Sequence, residues 1–131
     1  MEYKIQTENF MIDLKPKNFD NDILLEVTIQ SDGFSANTEM DIKVNDFAKF
    51  AIELNKIYEN LSGEARIQEE YGMNMYLSFS ANNKGYILVQ GYLHKSNKNG
   101  KEQILKFENE IEQTYFKNFS YNLYNSYGNL L

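Results

Sequence analysis

The chain has no cysteine and no tryptophan, and it has one histidine (His94) and one proline (Pro16) among its 131 residues. Without cysteine there is no disulfide, no thiolate nucleophile and no metal site built on sulfur. One histidine is too few for a metal site that uses several imidazole ligands. The side chains left for chemistry are carboxylates, amides, hydroxyls and amines.

Long apolar runs are also missing. No stretch approaches the roughly 18 apolar residues of a membrane span. The segment Met1–Thr7 lacks the apolar core of a secretory signal peptide. The absence of cysteine fits a reducing compartment. We therefore expect a cytoplasmic protein that does not enter membranes.

Acidic residues outnumber basic ones, 19 to 13, which gives a formal net charge of −6. Such a surface repels phosphates, so we expect no nucleic-acid partner. It attracts a basic protein and accelerates its approach. Modest acidity also keeps proteins soluble, so charge alone does not decide between these interpretations.

Length and composition favour a packed core. The chain has an ordinary length for one domain, and it is 42% hydrophobic with ten tyrosines and nine phenylalanines. It contains no Gly/Ser/Pro-rich linker, internal sequence repeat or low-complexity run. We predict a single domain over residues 1–131.

Alternating apolar residues predict most of the strands. The first is Phe10–Leu14, and we expect it to end at Lys15–Asn18, which contains Pro16. Ile23–Gln30 and Phe34–Lys43 follow, joined by a tight turn at Ser31–Gly33. In the latter strand the residues expected to face inward are Phe34, Ala36, Met40 and Ile42. Four further strands are predicted near residues 65–70, 73–79, 86–94 and 103–112.

Two segments change to a helical period. The first helix is predicted at 46–61, with Asn45 as N-cap and Gly63 as C-terminal stop. Its apolar stripe comprises Phe47, Phe50, Ala51, Leu54, Ile57, Tyr58 and Leu61. The second helix is predicted at 114–127, with an inward row of Tyr115, Phe119, Leu123 and Tyr127.

The order of elements is therefore strands, helix, four strands, helix. Consecutive strands joined by short turns indicate mainly antiparallel pairing. We predict an α+β fold in which a curved antiparallel sheet, or a partly open sandwich, carries two packed helices.

No residue pattern indicates catalysis. His94 has no second histidine to work with, and the nucleotide-binding and hydrolase motifs are absent. Asp20–Asp22 resembles the start of a calcium loop, but the required glycine and terminal glutamate are missing. Glu69 and Glu70 are adjacent on a predicted strand and so point to opposite faces. We expect a non-enzymatic protein without cofactor or metal.

Two predicted strand faces concentrate negative charge. Glu26 lies near the strand that carries Glu39 and Asp41, and a second group shares one face of the last strand. Like charges at such spacing repel each other modestly, and a cationic partner would relieve the repulsion. The candidate partner-binding residues are Glu39, Asp41, Glu108, Glu110 and Glu112.

Several short segments combine turn glycines with packing residues: Gly33–Ser35, the helix Phe47–Leu61 with Gly63–Ala65, Gly85–Gly91, Phe107–Glu108 and Glu112–Phe116. In this order they resemble segments of the WapI-type immunity proteins, which are bacterial partners of polymorphic cell-wall-associated toxins. The resemblance runs almost end to end. It implies a β-rich α+β domain that binds a cognate toxin and blocks it inside the producing cell. It implies no catalytic residue.

Three classes of function stay open at this point. The leading one is a protein that neutralises a toxin by binding it. The second is an adaptor or a small-ligand domain, which an enclosed apolar pocket would favour. The third is an enzyme that uses carboxylates, which a buried carboxyl with a strongly raised pKa would favour.

Overall fold

The computed structural model describes residues 3–69, 74–82 and 84–130. In chain order the first half contains β1 Tyr3–Gln6, β2 Phe10–Phe19, β3 Asp22–Ser31, β4 Phe34–Lys43 and α1 Val44–Asn60. The second half contains β5 Glu64–Gln68, β6 Tyr76–Ala81, β7 Tyr86–Ser96, β8 Glu102–Glu112 and α2 Gln113–Tyr127, followed by a short 3-10 helix at Gly128–Leu130.

The strands form two four-stranded antiparallel sheets, each in sequence order, β1-β2-β3-β4 and β5-β6-β7-β8. The same succession of four strands and a helix thus occurs twice, although the sequence analysis found no internal repeat. The predicted α+β architecture, with antiparallel strands and two helices, is confirmed.

The two halves share one hydrophobic cluster. Helix α1 packs against α2 and β5, α2 packs against β1, and β4 meets β7 and β8. Aromatic rings connect the layers: Phe79 of β6 lies 5.8 Å from Phe50 of α1 and 5.5 Å from Phe119 of α2, measured between ring centroids. The apolar stripes of both helices are therefore buried against each other and against the sheets.

Helix α1 begins directly after β4, two residues earlier than predicted. Asn45 is not the N-cap, because Lys43 holds that position without a side-chain hydrogen bond. The N–H of Val44 instead donates to the carbonyl of Asn21 at 3.0 Å, so the end of the β3–β4 ladder starts the helix. At the other end Leu61 adopts a left-handed conformation (φ 53°) and is 41% exposed, so it leaves the predicted stripe.

Pro16 does not end β2, contrary to the sequence-based prediction. The hydrogen bond from Asp32 N–H to the Asn9 carbonyl sets the alternation of the β2–β3 ladder. With that alternation, even-numbered β2 residues direct their backbone groups away from β3. The nitrogen of Pro16 therefore points away from β3, toward the side of β2 where the described pairing with β1 extends to Leu14. The missing N–H of Pro16 thus removes no hydrogen bond of the β2–β3 ladder.

Two aromatic residues predicted to face inward are exposed: Phe34 is 69% and Tyr115 is 49% exposed. Phe34 follows directly on the turn at the end of the β3–β4 hairpin. Tyr115 lies beside the buried face of α2, which consists of Phe116, Phe119, Ser120, Leu123 and Tyr127. Of the other predicted strand residues, Glu70 and Met73 lie outside the described residues.

Two polar residues, one in β4 and one in β8, face the core at positions that the sequence-based prediction did not assign to either face of the strand. Thr38 of β4 is buried, and its hydroxyl donates to the carbonyl of His94 at 2.9 Å. Asn109 of β8 is also buried, and its amide donates to the hydroxyl of Ser31. Both bonds join the first sheet to the second.

Candidate interaction surface

The five candidate residues lie on two different sheets. Glu39 and Asp41 project from the outer face of β4, and we call them the β4 acidic pair. The β8 acidic row consists of Glu108, Glu110 and Glu112. All five side chains are exposed, and the structure does not join them into one strand face.

Lys15 and Lys17, which lie where the strand was predicted to end, are part of β2 in the same sheet as the β4 acidic pair. Glu39 is the direct cross-strand neighbour of Glu26 on β3, and Glu26 is the direct cross-strand neighbour of Lys15 on β2. Asn37 also donates its side-chain amide to Glu26 at 3.0 Å. Because β2 continues through Pro16, this outer face is electrically more balanced than the acidic residues alone suggested.

The β8 acidic row has less compensation. Glu108 accepts a hydrogen bond from the side-chain amide of Gln90 at 2.6 Å. Glu110 faces Leu88 across the strand pair, and Glu112 faces Tyr86. No charged residue therefore stands directly opposite these three carboxylates on β7.

Glu69 was not predicted to take part in any site, yet it lies at the junction of the sheets. Its carboxylate accepts a hydrogen bond from the backbone N–H of Asp41 at 3.3 Å. Burial raises the pKa of Glu69 above its ordinary value of 4.5, and the Asp41 carboxylate raises it further. The bond from Asp41 N–H and the nearby His94 oppose this rise in pKa.

His94 is half-buried beside this junction, rather than on the open surface. Its two ring nitrogens are buried and have no hydrogen-bond partner among the described residues. Its ring lies 6.2 Å from that of Tyr92. Within the part of the chain that the structure describes, no three carboxylate or histidine side chains are grouped as a metal site requires.

A groove of about 370 Å³ runs between β4 and the β7–β8 hairpin. One wall is residues 35–38 of β4, and the other is formed by residues 93–95 and 103–105. It contains apolar side chains of Ala36, Leu93 and Leu105 together with the backbone of β4.

The comparison with protein families decides the relationship of the chain. A model of the immunity protein WapI-like family matches residues 4–124. The chain belongs to this family. The resemblance inferred from short segments is therefore confirmed over almost the whole length.

Other comparisons add little to this WapI-like assignment. No curated protein matches the chain. A solved chain described as "Crystal structures of trypanosoma bruciei MRP1/MRP2" shares 11% sequence identity, with a TM-score of 0.48. That alignment covers 96% of this chain and 84% of the other.

The structure gives physical reasons for glycines in the segments that resembled the WapI-like family. Gly33 and Gly85 have positive φ values of 89° and 84° in hairpin turns, where other residues would be strained. Gly91 lies on the inner face of β7, where a Cβ would overlap the ring of Phe107. Turn conformation and close packing therefore account for the glycines of these segments.

The raised pKa of Glu69 gives a prediction for this WapI-like protein. The folded chain holds the Glu69 proton more tightly than the unfolded chain does. Stability from this group is therefore fully present below pH 4.5 and is lost as the pH rises through the folded-state pKa. We expect the unfolding free energy of Glu69→Gln to fall less over that interval than that of the unchanged chain.

Urea unfolding of both proteins from pH 4.5 to about pH 7 measures this difference, because their remaining titratable groups are the same. Glu59→Gln, which removes an exposed carboxylate from α1, is the control for the loss of one negative charge. Equal slopes for Glu69→Gln and the unchanged chain would contradict the prediction.

Proposed function

We propose that this chain is a non-enzymatic immunity protein that binds a cognate bacterial toxin domain and neutralises it inside the producing cell. The family match over residues 4–124 carries the proposal. Toxin binding is the activity that the name of the family implies. We propose the cytoplasm of the producing cell as the site of action. Neither helix of the described residues combines the length and the apolar character of a membrane span.

The acidic surface supports a basic partner. The chain has a net charge of −6, and the β8 acidic row has no cation directly opposite it on β7. Approach of a basic toxin domain would be accelerated by this field. We propose Glu39, Asp41, Glu108, Glu110 and Glu112 as the attracting residues.

A small-ligand domain is favoured less by the geometry. The grooves along the described residues are open to solvent, whereas small-molecule sites enclose most of their ligand. An open groove suits a macromolecular partner better, since such a partner brings its own surface to cover it.

The proposal is tested by co-expression with the toxin domain encoded beside this chain. We expect a sensitive host that produces the toxin domain to grow when the chain is also produced, and to die without it. An unrelated acidic protein of similar size serves as the control, since it must fail to rescue. Death of the host despite abundant, folded chain would reject the assignment.

A further inference from the structure

The outer edge of β4 is available for strand pairing. β4 is the last strand of the first sheet, and no described strand hydrogen-bonds to its other side. The bond from Val44 N–H to the Asn21 carbonyl sets the alternation of the β3–β4 ladder. Even-numbered β4 residues therefore bond to β3, and odd-numbered residues direct their backbone N–H and C=O groups outward.

Asp41 confirms this alternation, because its N–H points away from β3 and is bound by the carboxylate of Glu69. Glu69 thus occupies the outward N–H of Asp41, so this position is not available for pairing with another strand. The outward backbone groups of Ser35, Asn37 and Glu39 have no backbone hydrogen-bond partner among the described residues. An open stretch of edge remains at residues 35–39.

The groove lies along this open stretch. Residues 35–38 form one of its walls, and the opposite wall contains Leu93 and Leu105. Two exposed apolar side chains flank the same region: Phe34, which is 69% exposed, and Ile104, which is 56% exposed. Backbone groups for hydrogen bonding and apolar surface for side chains therefore occur together, as strand addition requires.

We propose that an extended, cationic segment of the toxin domain adds as a strand to residues 35–39 of β4, with its side chains in the groove. This inference rests on the proposed function and names where the partner binds. A lysine or arginine on the segment would stand beside Glu39 and Asp41, with Glu69 behind them. Pairing of its backbone with Ser35, Asn37 and Glu39 supplies affinity, and the groove supplies side-chain selectivity.

Charge decides between this occupant and a second copy of the chain. Two β4 edges that paired with each other in antiparallel fashion about Asn37 would place Ser35 and Gly33 of one copy opposite Glu39 and Asp41 of the other, so neither acidic residue would gain an opposite charge. Charged residues on an edge also protect it from self-association. A lysine or arginine on a cationic segment supplies the opposite charge that a second copy does not.

The test uses proline to remove one outward N–H while the β3–β4 ladder is kept. Asn37→Pro deletes the central donor of the open stretch. Asn37→Ala keeps the donor but loses the same side-chain bonds to Glu26 and Thr28. Gln6→Pro is the matched proline control, because the Thr7 N–H to Phe10 carbonyl bond places the nitrogen of Gln6 on the outer edge of β1, at the far side of the same sheet.

The probe is the purified toxin domain encoded beside this chain, titrated against each full-length variant. We expect Asn37→Pro to weaken binding at least about tenfold, since it loses a strand-pairing bond and adds a ring at the interface. Asn37→Ala and Gln6→Pro should each stay within about threefold of the unchanged chain. Hydrogen exchange should show the amides of Ser35, Asn37 and Glu39 protected on binding.

The possible failures are distinct. Absence of binding by the unchanged, folded chain overturns the proposed function and this inference with it. Tight binding that Asn37→Pro leaves intact, with no protection of these three amides, overturns the inference alone. Protection of the same amides when only the concentration of the chain is raised, with a dimer mass, would assign the edge to a second copy and also overturn it.

Discussion

Phe50→Ala is expected to lower the unfolding free energy by about 3–5 kcal/mol. The Phe50 side chain is 1% exposed, and its ring lies 6.0 Å from Phe47 and 5.8 Å from Phe79, between centroids. Truncation removes its buried area and leaves a cavity where α1 meets the second sheet. Urea unfolding, followed by circular dichroism, measures the loss.

Phe34→Ala provides the matched control, because the same aromatic ring is removed from a position that is 69% exposed. We expect its unfolding free energy to change by no more than about 0.5 kcal/mol. A loss below about 1 kcal/mol for Phe50→Ala would show that the interior of α1 is loosely packed. Equal losses for the two variants would contradict the burial difference between them.

The elements that the sequence predicted well have long and regular patterns. α1 repeats its apolar residues over several turns, and β3 alternates from Ile23 to Ile29, so local spacing alone identifies the buried face. Boundaries were less predictable. The start of α1 depends on the bond between Val44 and Asn21, two residues that are brought together only by the pairing of β3 with β4.

The effect of Pro16 could not be predicted for the same reason. A proline disrupts a strand only if its missing N–H was needed, and that depends on which neighbour lies on each side. The burial of Thr38 and Asn109 could not be predicted either, because a polar residue on an inner face interrupts the apolar alternation of its strand. Their partners, the His94 carbonyl and the Ser31 hydroxyl, belong to the other sheet.

The candidate interaction surface was likewise predictable only where it depends on the local alternation of a strand. Exposure of the five acidic side chains follows from strand alternation, and the structure agrees with it. The role of Glu69 at the β4 edge depends on the approach of two sheets that are distant in sequence. That these sheets unfold together as one domain stays a prediction, although their buried residues form one cluster.

Charge reversal of the β8 acidic row should affect the rate at which a basic toxin domain associates. Glu108→Lys together with Glu110→Lys replaces attraction by repulsion, and we expect association to slow by about tenfold or more at low salt. Near 0.5 M salt the difference should shrink, because screening acts over only a few ångströms. Stability should change little, because both carboxylates are exposed and only Glu108 loses a hydrogen bond, the one from Gln90.

Reversal of the β4 acidic pair, Glu39→Lys with Asp41→Lys, distinguishes long-range electrostatic attraction of the partner from direct contact with it. Exposed charges at the rim of an interface set mainly the association rate, whereas desolvated contacts set the dissociation rate. If a cationic strand pairs along β4, this second variant should both slow association and accelerate dissociation, whereas the β8 variant should only slow association. Stopped-flow association and dissociation measured at two salt concentrations distinguish the variants. Association rates that neither reversal alters would remove both acidic groups from the binding surface, while growth rescue would still decide the immunity function independently.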